Sequence, residues 1–413
     1  IAEEDFVKNN ASWLDQLKLR GGYGVLGNQE IDNYQYVSVV TTGINYPDGN
    51  GGLIQGAFPK TFANPDIKWE ETAMTNIGID FMALHNRLSL TADWYVKNTK
   101  DILLNVPIPI STGGSNDPIR NAGKIRNQGI EFNLGWNESL NKDLSYGVTF
   151  LGTYNKNEVV EMGAESQAIT GGTIHGGTYT SRTLAGYPIG GFWLIPTDGY
   201  FNSTEEVQAY QKDGVLIQPS AEPGDIRFKD TNNDGTINDE DRVYCGSPFP
   251  KFTYSINGNL TYKNVDFSVG FQGVAGNKIY NATKLELTDV TRGTNYLAST
   301  LDYWTPENQD AANPRLIWTD PNRNARSESD RYLESGSYFR LRNLQIGYTF
   351  PNAWFHGFVQ KARVYFNAEN LFTITSYSGY TPDVNSSNVY SRGFDEFIYP
   401  SNRTFMLGLN VTF

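Results

Sequence analysis

The sequence is poor in the residues and motifs that most often carry chemistry. Its single cysteine, Cys245, excludes an intrachain disulfide framework. The three histidines, His85, His175 and His356, are isolated and do not stand at metal-ligand spacing. No nucleophile elbow, zinc-protease motif or phosphate-binding glycine loop occurs in the sequence. We therefore predict that the chain is not an enzyme.

Long apolar runs and an excess of positive charge are also missing. No run of eighteen apolar residues occurs, which excludes a transmembrane helix. A membrane strand needs no such run, because it turns only every second side chain toward lipid. The net charge of −12 and the pI near 4.8 argue against a nucleic-acid-binding protein.

Aromatic residues and glycine are plentiful, with 25 tyrosines, 23 phenylalanines and 41 glycines, and this mixture is typical of strands and turns. The last residues alternate, with Phe405, Leu407 and Leu409 apolar and polar residues between them. Apolar alternation of this kind recurs near 16–24, 34–42, 72–82, 88–96, 125–136, 146–154, 252–262, 265–271, 338–350 and 362–368. We count about a dozen strands, each about ten residues long, which is the length that a tilted membrane strand needs.

The connections between these runs are unequal. Short ones stand at 83–87, 137–143 and 262–264, and long ones at 155–190, 197–250, 275–337 and 372–401. Short turns at one end and long loops at the other are typical of an outer-membrane barrel. The fold class is therefore an all-β, transmembrane antiparallel β-barrel with long extracellular loops. Alternation alone fits a soluble β-sandwich equally well.

The terminal strand carries two further expectations. In a closed barrel both its edges would be paired, which would let the chain end on Phe413. Phe405, Leu407 and Leu409 would face lipid, and Asn410 and Thr412 the lumen.

One helix is predicted inside a long loop. The segment 202–214 begins with a capping box, Ser203 and Glu206, and Gly214 supplies a stop signal.

The segment 230–241 has the ligand spacing of a calcium loop. Its donors would be Asp230, Asn232, Asp234, the carbonyl of Thr236, and Asp241. Position 12 of such loops is usually glutamate, and no helix is predicted before the loop. We expect a structural calcium ion in an extracellular loop, the alternative being an acidic turn without metal.

Six blocks of sequence together resemble the SusC/RagA family of TonB-dependent outer-membrane transporters. They are 12–31, 67–81, 120–132, 224–242, 246–281 and 334–351, the last reading "ESGSYFRLRNLQIGYTFP". The resemblance covers nearly the whole chain, from about residue 12 to Phe413, in family order.

The resemblance implies a 22-stranded barrel, of which residues 1–413 would be the C-terminal part, about the last dozen strands. The plug domain and the first strands would lie outside this chain. It implies location in the outer membrane and import of glycan or peptide oligomers. The implied partners are a SusD-like surface lipoprotein, in a dimer of such pairs, TonB through the plug region, and membrane lipid.

Aromatic side chains in the long loops are candidates for stacking on substrate, namely Tyr179, Tyr187, Trp193, Trp304 and Trp318. The same rings would serve equally to pack the loops or to form an interface. Two other functions stay open: a siderophore- or cobalamin-type receptor on the same fold, and a secreted β-rich adhesin or carbohydrate-binding protein with a calcium loop.

Overall fold

A computed structural model describes most of the chain. The described residues are 4, 10–29, 36–38, 40–59, 64–105, 119–121, 123–163, 168–174, 178–355, 357–384, 386 and 388–413. Among them, no helix is long and apolar enough to cross a membrane.

Strands dominate this part of the chain. In chain order they are β1 (Leu14–Asn28), β2 (Val40–Pro47), β3 (Leu53–Pro59), β4 (Glu70–Ala83), β5 (Leu88–Lys100), β6 (Leu103–Asn105), β7 (Ile119–Asn121), β8 (Lys124–Ser139), β9 (Leu144–Glu161), β10 (Ile169–Ile174), β11 (Thr178–Thr183), β12 (Gly191–Leu194), β13 (Thr197–Tyr200), β14 (Gln211–Lys212), β15 (Val215–Leu216), β16 (Ile226–Phe228), β17 (Val243–Gly246), β18 (Phe252–Tyr262), β19 (Val265–Ala275), β20 (Lys278–Asn281), β21 (Leu333–Ser335), β22 (Tyr338–Thr349), β23 (Lys361–Thr375), β24 (Phe394–Asp395) and β25 (Thr404–Thr412). The helices are α1 (Thr204–Ala209) and α2 (Ala282–Thr288).

Ten of the strands form one antiparallel sheet. Its order is β1-β4-β5-β8-β9-β18-β19-β22-β23-β25. Among the described residues β25 pairs with β23 alone, so the predicted pairing of the terminal strand on both edges is not found within this chain. The run predicted near 34–42 is not part of this sheet. Instead, β2 pairs with β3 in a separate hairpin, and residues 34, 35 and 39 lie outside the described residues.

One face of the sheet is polar. Arg20 lies opposite Gly78 and Gly78 opposite Asp93, so the three residues share a face. The Arg20 guanidinium donates from Nη1 to Oδ1 of Asp93 at 2.8 Å and from Nε to Oδ2 of Asp80 at 2.9 Å. A Cβ on Gly78 would lie 2.3 Å from the Asp93 carboxylate, so glycine makes room for this ion pair. The row continues on the next three strands through Glu131, Thr153 and Thr253.

The other face is apolar and exposed. Leu407, Phe366, Ile346, Phe267 and Leu260 form one cross-strand row. Leu407 is 79% exposed and Ile346 45%. A second row consists of Ile77, Trp94, Ile130 and Tyr154. Because a contiguous apolar surface of this kind is unfavourable in water, this face requires an apolar environment.

The connections alternate in length around the sheet. The short ones, all at one end, are 84–87, 140–143, 263–264 and 350–360. The long ones, all at the opposite end, are 29–69, 101–123, 162–251, 276–337 and 376–403. The predicted asymmetry is therefore present. The two loops predicted at 155–190 and 197–250 form a single connection, because β9 continues to Glu161 and none of the described residues between β9 and β18 joins the ten-stranded sheet.

The connections 162–251, 276–337 and 376–403 pack on one another, and we call them the loop cap. Phe192 from the first, Tyr280 and Tyr332 from the second and Phe394 from the third share one hydrophobic cluster. The Tyr280 and Phe394 rings stack with centroids 5.6 Å apart. The cap therefore has a core of its own.

The helix predicted in the cap is present but shorter than expected. Ser203 caps α1 by accepting a hydrogen bond from the Glu206 backbone N–H at 3.3 Å, and α1 ends at Ala209. Gly214 does not end the helix. With Asp213 it forms the two-residue turn between β14 and β15, where both residues have positive φ, 50° and 82°, as a tight hairpin of this twist requires.

Candidate functional site

Carboxylate side chains of the predicted calcium loop accept hydrogen bonds from the loop's own backbone. The Asp230 carboxylate accepts N–H groups of Asp234 at 3.1 Å and Gly235 at 2.8 Å, and Asp234 Oδ1 accepts that of Thr236 at 2.8 Å. Hydrogen bonds from the Asn232 side chain, and then from Thr236, lower the pKa of Asp234 to about 2. This carboxylate is therefore ionised at neutral pH. Each carboxylate oxygen has two lone pairs, and each Asp230 oxygen accepts one of these bonds, which leaves capacity for a cation there. Both oxygens of Asp234 already accept two hydrogen bonds each, so a cation would have to displace some of them.

Asp241 differs from the other predicted ligands in its burial. It is fully buried, and its two carboxylate oxygens accept backbone N–H groups of Thr231 at 2.7 Å and Asn238 at 2.8 Å. Across the described residues, no group of three or more His, Cys, Asp or Glu side chains is arranged to hold a metal ion. The oxygen donors suit calcium in kind, and calcium binding stays a prediction.

Two of the predicted aromatic residues lie together. The Tyr187 and Trp193 rings meet edge-on with centroids 4.9 Å apart, and Tyr244 lies 5.0 Å from Tyr187. Trp193 Nε1 is buried and has no hydrogen-bond partner among the described residues. Tyr244 was not predicted, because nothing in the sequence distinguishes it from the other tyrosines of the cap.

The other three predicted aromatic residues are separated. Trp304 is only 6% exposed and its Nε1 donates to Asn202 Oδ1 at 3.0 Å, so it packs the cap. Trp318 is 63% exposed. Tyr179 lies under two guanidinium groups, Arg242 at 4.7 Å and Arg182 at 5.1 Å from its ring centroid. Substrate contact by these residues stays a prediction.

Three adjoining cavities lie along the polar face of the sheet. The largest, about 620 Å³, is lined mainly by neutral hydrogen-bonding side chains, among them Ser255 and Asn257. It shares Gln272 and Arg342 with a second cavity of about 530 Å³. The second shares Arg340 with a third cavity of about 240 Å³. Together they form a groove that reaches the loop end of β22, β23 and β25.

A β-bulge places Arg342 in this groove. In the pairing of β19 with β22, Gly270 lies opposite Asn343 but Phe271 lies opposite Leu341, so Arg342 is an extra residue. Its Nη1 donates to Gln272 Oε1 at 2.5 Å, across the groove wall. Bulges commonly redirect a side chain in this way.

The arginines of the groove differ in their pairing. Arg340 is buried, donates to Thr373 Oγ1 at 2.8 Å and forms an ion pair with Asp383. Arg342 and Arg403 are exposed. Neither forms an ion pair with a carboxylate in the part of the chain that the structure describes.

Comparison with known proteins decides the family. The family model described as TonB dependent receptor-like, beta-barrel, matches residues 8–371. The chain belongs to this family of TonB-dependent receptors. It is 30% identical to TonB-dependent receptor P3 and 31% identical to TonB-dependent receptor P26, both of Formosa agariphila, and 29% identical to TonB-dependent receptor SusC of Bacteroides thetaiotaomicron. These alignments cover 100% of the chain and 41%, 41% and 39% of the relatives.

Solved structures support the receptor fold. The RagAB peptide transporter matches with a TM-score of 0.79 at 24% identity, over 98% of this chain and 42% of that one. The RagAB peptide importer in its closed-closed state matches with a TM-score of 0.75 at 25% identity and the same coverage. The predicted SusC/RagA resemblance, β-barrel fold and outer-membrane location are confirmed. The chain spans about two-fifths of the length of these relatives.

The arginines of this receptor's groove were missed at the sequence level. Arg340, Arg342 and Asn343 all line it, although strict alternation would turn Arg342 away from Asn343. Only the motif "YFRLRN", in which two basic residues interrupt an apolar run, hints at the bulge. Membership of a receptor family does not test the residues of this chain for catalysis. Absence of enzymatic activity therefore stays a prediction.

Proposed function

We propose that this chain forms barrel wall and loop cap of a SusC-like, TonB-dependent importer of nutrient oligomers, glycans or peptides. The observation that carries the proposal is the two-faced sheet, apolar outside and polar inside, with every long connection at one end. Such a sheet separates lipid from an aqueous lumen. Membership of the receptor family supports import and leaves a secreted adhesin without support.

The proposed partners follow from the resemblance. They are a SusD-like surface lipoprotein over the loop cap, in a dimer of such pairs, TonB through a plug, and membrane lipid around the apolar face. A peptide substrate is one candidate, because the similar RagAB structures are those of a peptide transporter. A glycan is the other.

Affinity purification from outer membranes tests this proposal. The full-length protein, tagged and extracted in detergent, is expected to bring a surface lipoprotein with it, identified by mass spectrometry. An unrelated outer-membrane barrel with the same tag is the control. Recovery from the soluble fraction, or recovery with the same proteins as the control, would contradict it.

We also propose that the loop 230–241 binds a structural calcium ion through Asp230, Asn232, Asp234, Thr236 and Asp241. Bound calcium would hold the 197–250 segment of the loop cap against proteolysis. The double variant Asp230→Ala, Asp234→Ala should lose a calcium-dependent rise in protease resistance. Asp213→Asn, which removes a carboxylate from the neighbouring hairpin and tolerates positive φ, should keep it. No such rise in the wild-type protein would mean a plain acidic turn.

A further inference from the structure

The groove on the polar face is lined by arginines and by neutral hydrogen-bonding side chains. We propose that it holds a carboxylate-bearing stretch of the imported oligomer, with Arg342 and Arg403 as the carboxylate-binding residues. This proposal rests on the proposed import function. The pairing pattern, the charge balance and the lining of the groove support it.

The charge balance of the groove favours an anion. Three arginines, Arg340, Arg342 and Arg403, stand against two carboxylates, Asp383 and Glu369, which leaves a formal charge of +1. Asp383 is paired with Arg340, and Glu369 keeps its charge, because its hydrogen bond comes from the neutral Asn367 amide at 3.4 Å. Arg342 donates only to the neutral Gln272 among its described contacts. The groove therefore carries two guanidinium groups, those of Arg342 and Arg403, that have no carboxylate partner among the described residues.

The geometry of the guanidinium group indicates which class of anion would bind. The planar fork of arginine matches the two oxygens of a carboxylate, and such charge-assisted bonds are about twice as strong as neutral ones. Arg342 lines the first two cavities and Arg403 the third, so a ligand that meets both arginines must extend along the groove. An oligomer meets this requirement, whereas a single small anion would occupy one cavity.

The remaining lining fits the body of such an oligomer. Ser255, Asn257, Asn259 and Ser268 line the largest cavity and offer hydroxyl and amide groups. These groups can donate and accept hydrogen bonds with sugar hydroxyls or peptide amides. Tyr380, which is largely exposed, lines the third cavity together with Arg403 and supplies a flat ring there. The groove thus combines a neutral polar stretch with a cationic end near the loop cap.

Binding of matched probes to the full-length protein in detergent tests the proposal. The acidic probes are a polygalacturonate oligomer and a tetraglutamate peptide, and their neutral partners are the methyl ester and tetraglutamine. Titration calorimetry should show at least one acidic probe binding about tenfold more tightly than its neutral partner. The arm that binds identifies a sugar or a peptide as the source of the carboxylate.

The arginine variants then assign the site. Arg342→Gln and Arg403→Gln should each weaken binding of the acidic probe about tenfold, and Arg342→Lys should recover part of the loss. Because neither residue forms an ion pair with another described residue, we expect folding to be unaffected. Arg87→Gln, which removes one arginine beside a short turn, should bind like the wild type.

Three results would overturn this assignment: neither acidic probe binds, the acidic and neutral partners bind equally, or the glutamine variants bind like Arg87→Gln. Uptake of the probes by cells is measured separately. A protein that binds the acidic probe in detergent but imports nothing would contradict the proposed import function and leave the binding assignment intact.

Discussion

The sheet and the loop cap use the same apolar side chains in opposite ways. Phe192 in the cap is 1% exposed, whereas Leu407 in the sheet is 79% exposed. All four buried hydrophobic clusters of the described residues draw their members from the cap connections. The cap is therefore stabilised by burial of its own residues, and the sheet depends on strand pairing and an apolar surrounding.

Charged groups, like apolar ones, are buried in the cap and more exposed in the sheet. In the cap, the fully buried Asp225 receives two hydrogen bonds from Arg315, Nε–Oδ1 at 2.7 Å and Nη2–Oδ2 at 3.0 Å. In the sheet, the ion pairs of Arg20 are partly open to solvent on the polar face. A cap charge left without its partner would be costly, because water cannot reach it.

Truncation of a cap core residue should have the largest effect. Tyr280 is fully buried, stacks on Phe394, and donates to the Ser327 carbonyl at 2.6 Å. Tyr280→Ala should cost the cap roughly 3–5 kcal/mol, because it leaves a cavity. Tyr280→Phe should cost only about 1 kcal/mol, through the lost hydrogen bond. Pulse proteolysis in detergent measures both, and equal losses would contradict a packed cap core.

A charge on the apolar face of the sheet comes next. Leu407→Lys should make insertion into vesicles less favourable by roughly 2–4 kcal/mol if the residue lies near the membrane midplane. Met406→Lys, one position away on the polar face opposite Asn367, should insert almost normally. Folding into vesicles, followed by the heat-dependent gel mobility of the inserted barrel, measures the two variants. Equal defects would mean that the faces are wrongly assigned.

Two glycine-to-alanine substitutions compare the cost of backbone strain in a turn with the effect of an added methyl group in a strand. Gly214 in the cap has φ of 82° and open space around it, so Gly214→Ala should cost about 1 kcal/mol through backbone strain alone. Gly22 in β1 also has open space but no positive φ. Gly22→Ala should leave stability unchanged or slightly higher. Denaturant titration in detergent compares the two, and a larger loss at Gly22 would contradict the reasoning.

The prediction with the smallest expected effect on stability concerns the reactivity of Cys245. Burial raises the pKa of the Cys245 thiol to about 11, and the thiolate is the reactive form. Maleimide labelling at pH 8 should be roughly tenfold or more slower than for a thiol of ordinary pKa, and faster as the pH approaches 11. The same protein unfolded in denaturant is the control. Equal rates in the folded and unfolded proteins would mean an open cap.

Much of the sheet could be predicted because its physical signal is periodic. Alternation located all ten sheet strands and assigned Leu407 and Leu409 to the apolar face and Asn410 to the polar one. The signal failed where the period breaks. The extra residue at Arg342 and the positive φ of Asn370, within a second register shift, turn side chains toward the groove against the alternation.

The loop cap was harder to predict because its burial follows no period. Trp304 and Trp318 are both loop tryptophans near prolines or threonines, yet one is buried and the other exposed. Their difference depends on contacts such as Trp304 with Asn202, about a hundred residues away in sequence. The spacing of the segment 230–241 predicted Asp241 as a calcium donor, but it gave no sign that this side chain is buried and accepts the backbone N–H groups of Thr231 and Asn238.

The meeting of three connections in one hydrophobic cluster bears on how this receptor can diversify. The connection 162–251 leaves and re-enters the sheet on neighbouring strands, where Tyr154 lies opposite Phe252. Because its two ends are adjacent, this connection could be replaced by the corresponding loop of a relative if its endpoints were the only requirement. Its core partners, however, Tyr280 and Phe394, belong to the other two connections. A chimera designed for a new ligand preference should therefore exchange all three connections together. A graft of one connection alone should give a sheet that still inserts into the membrane but a loop cap that does not fold.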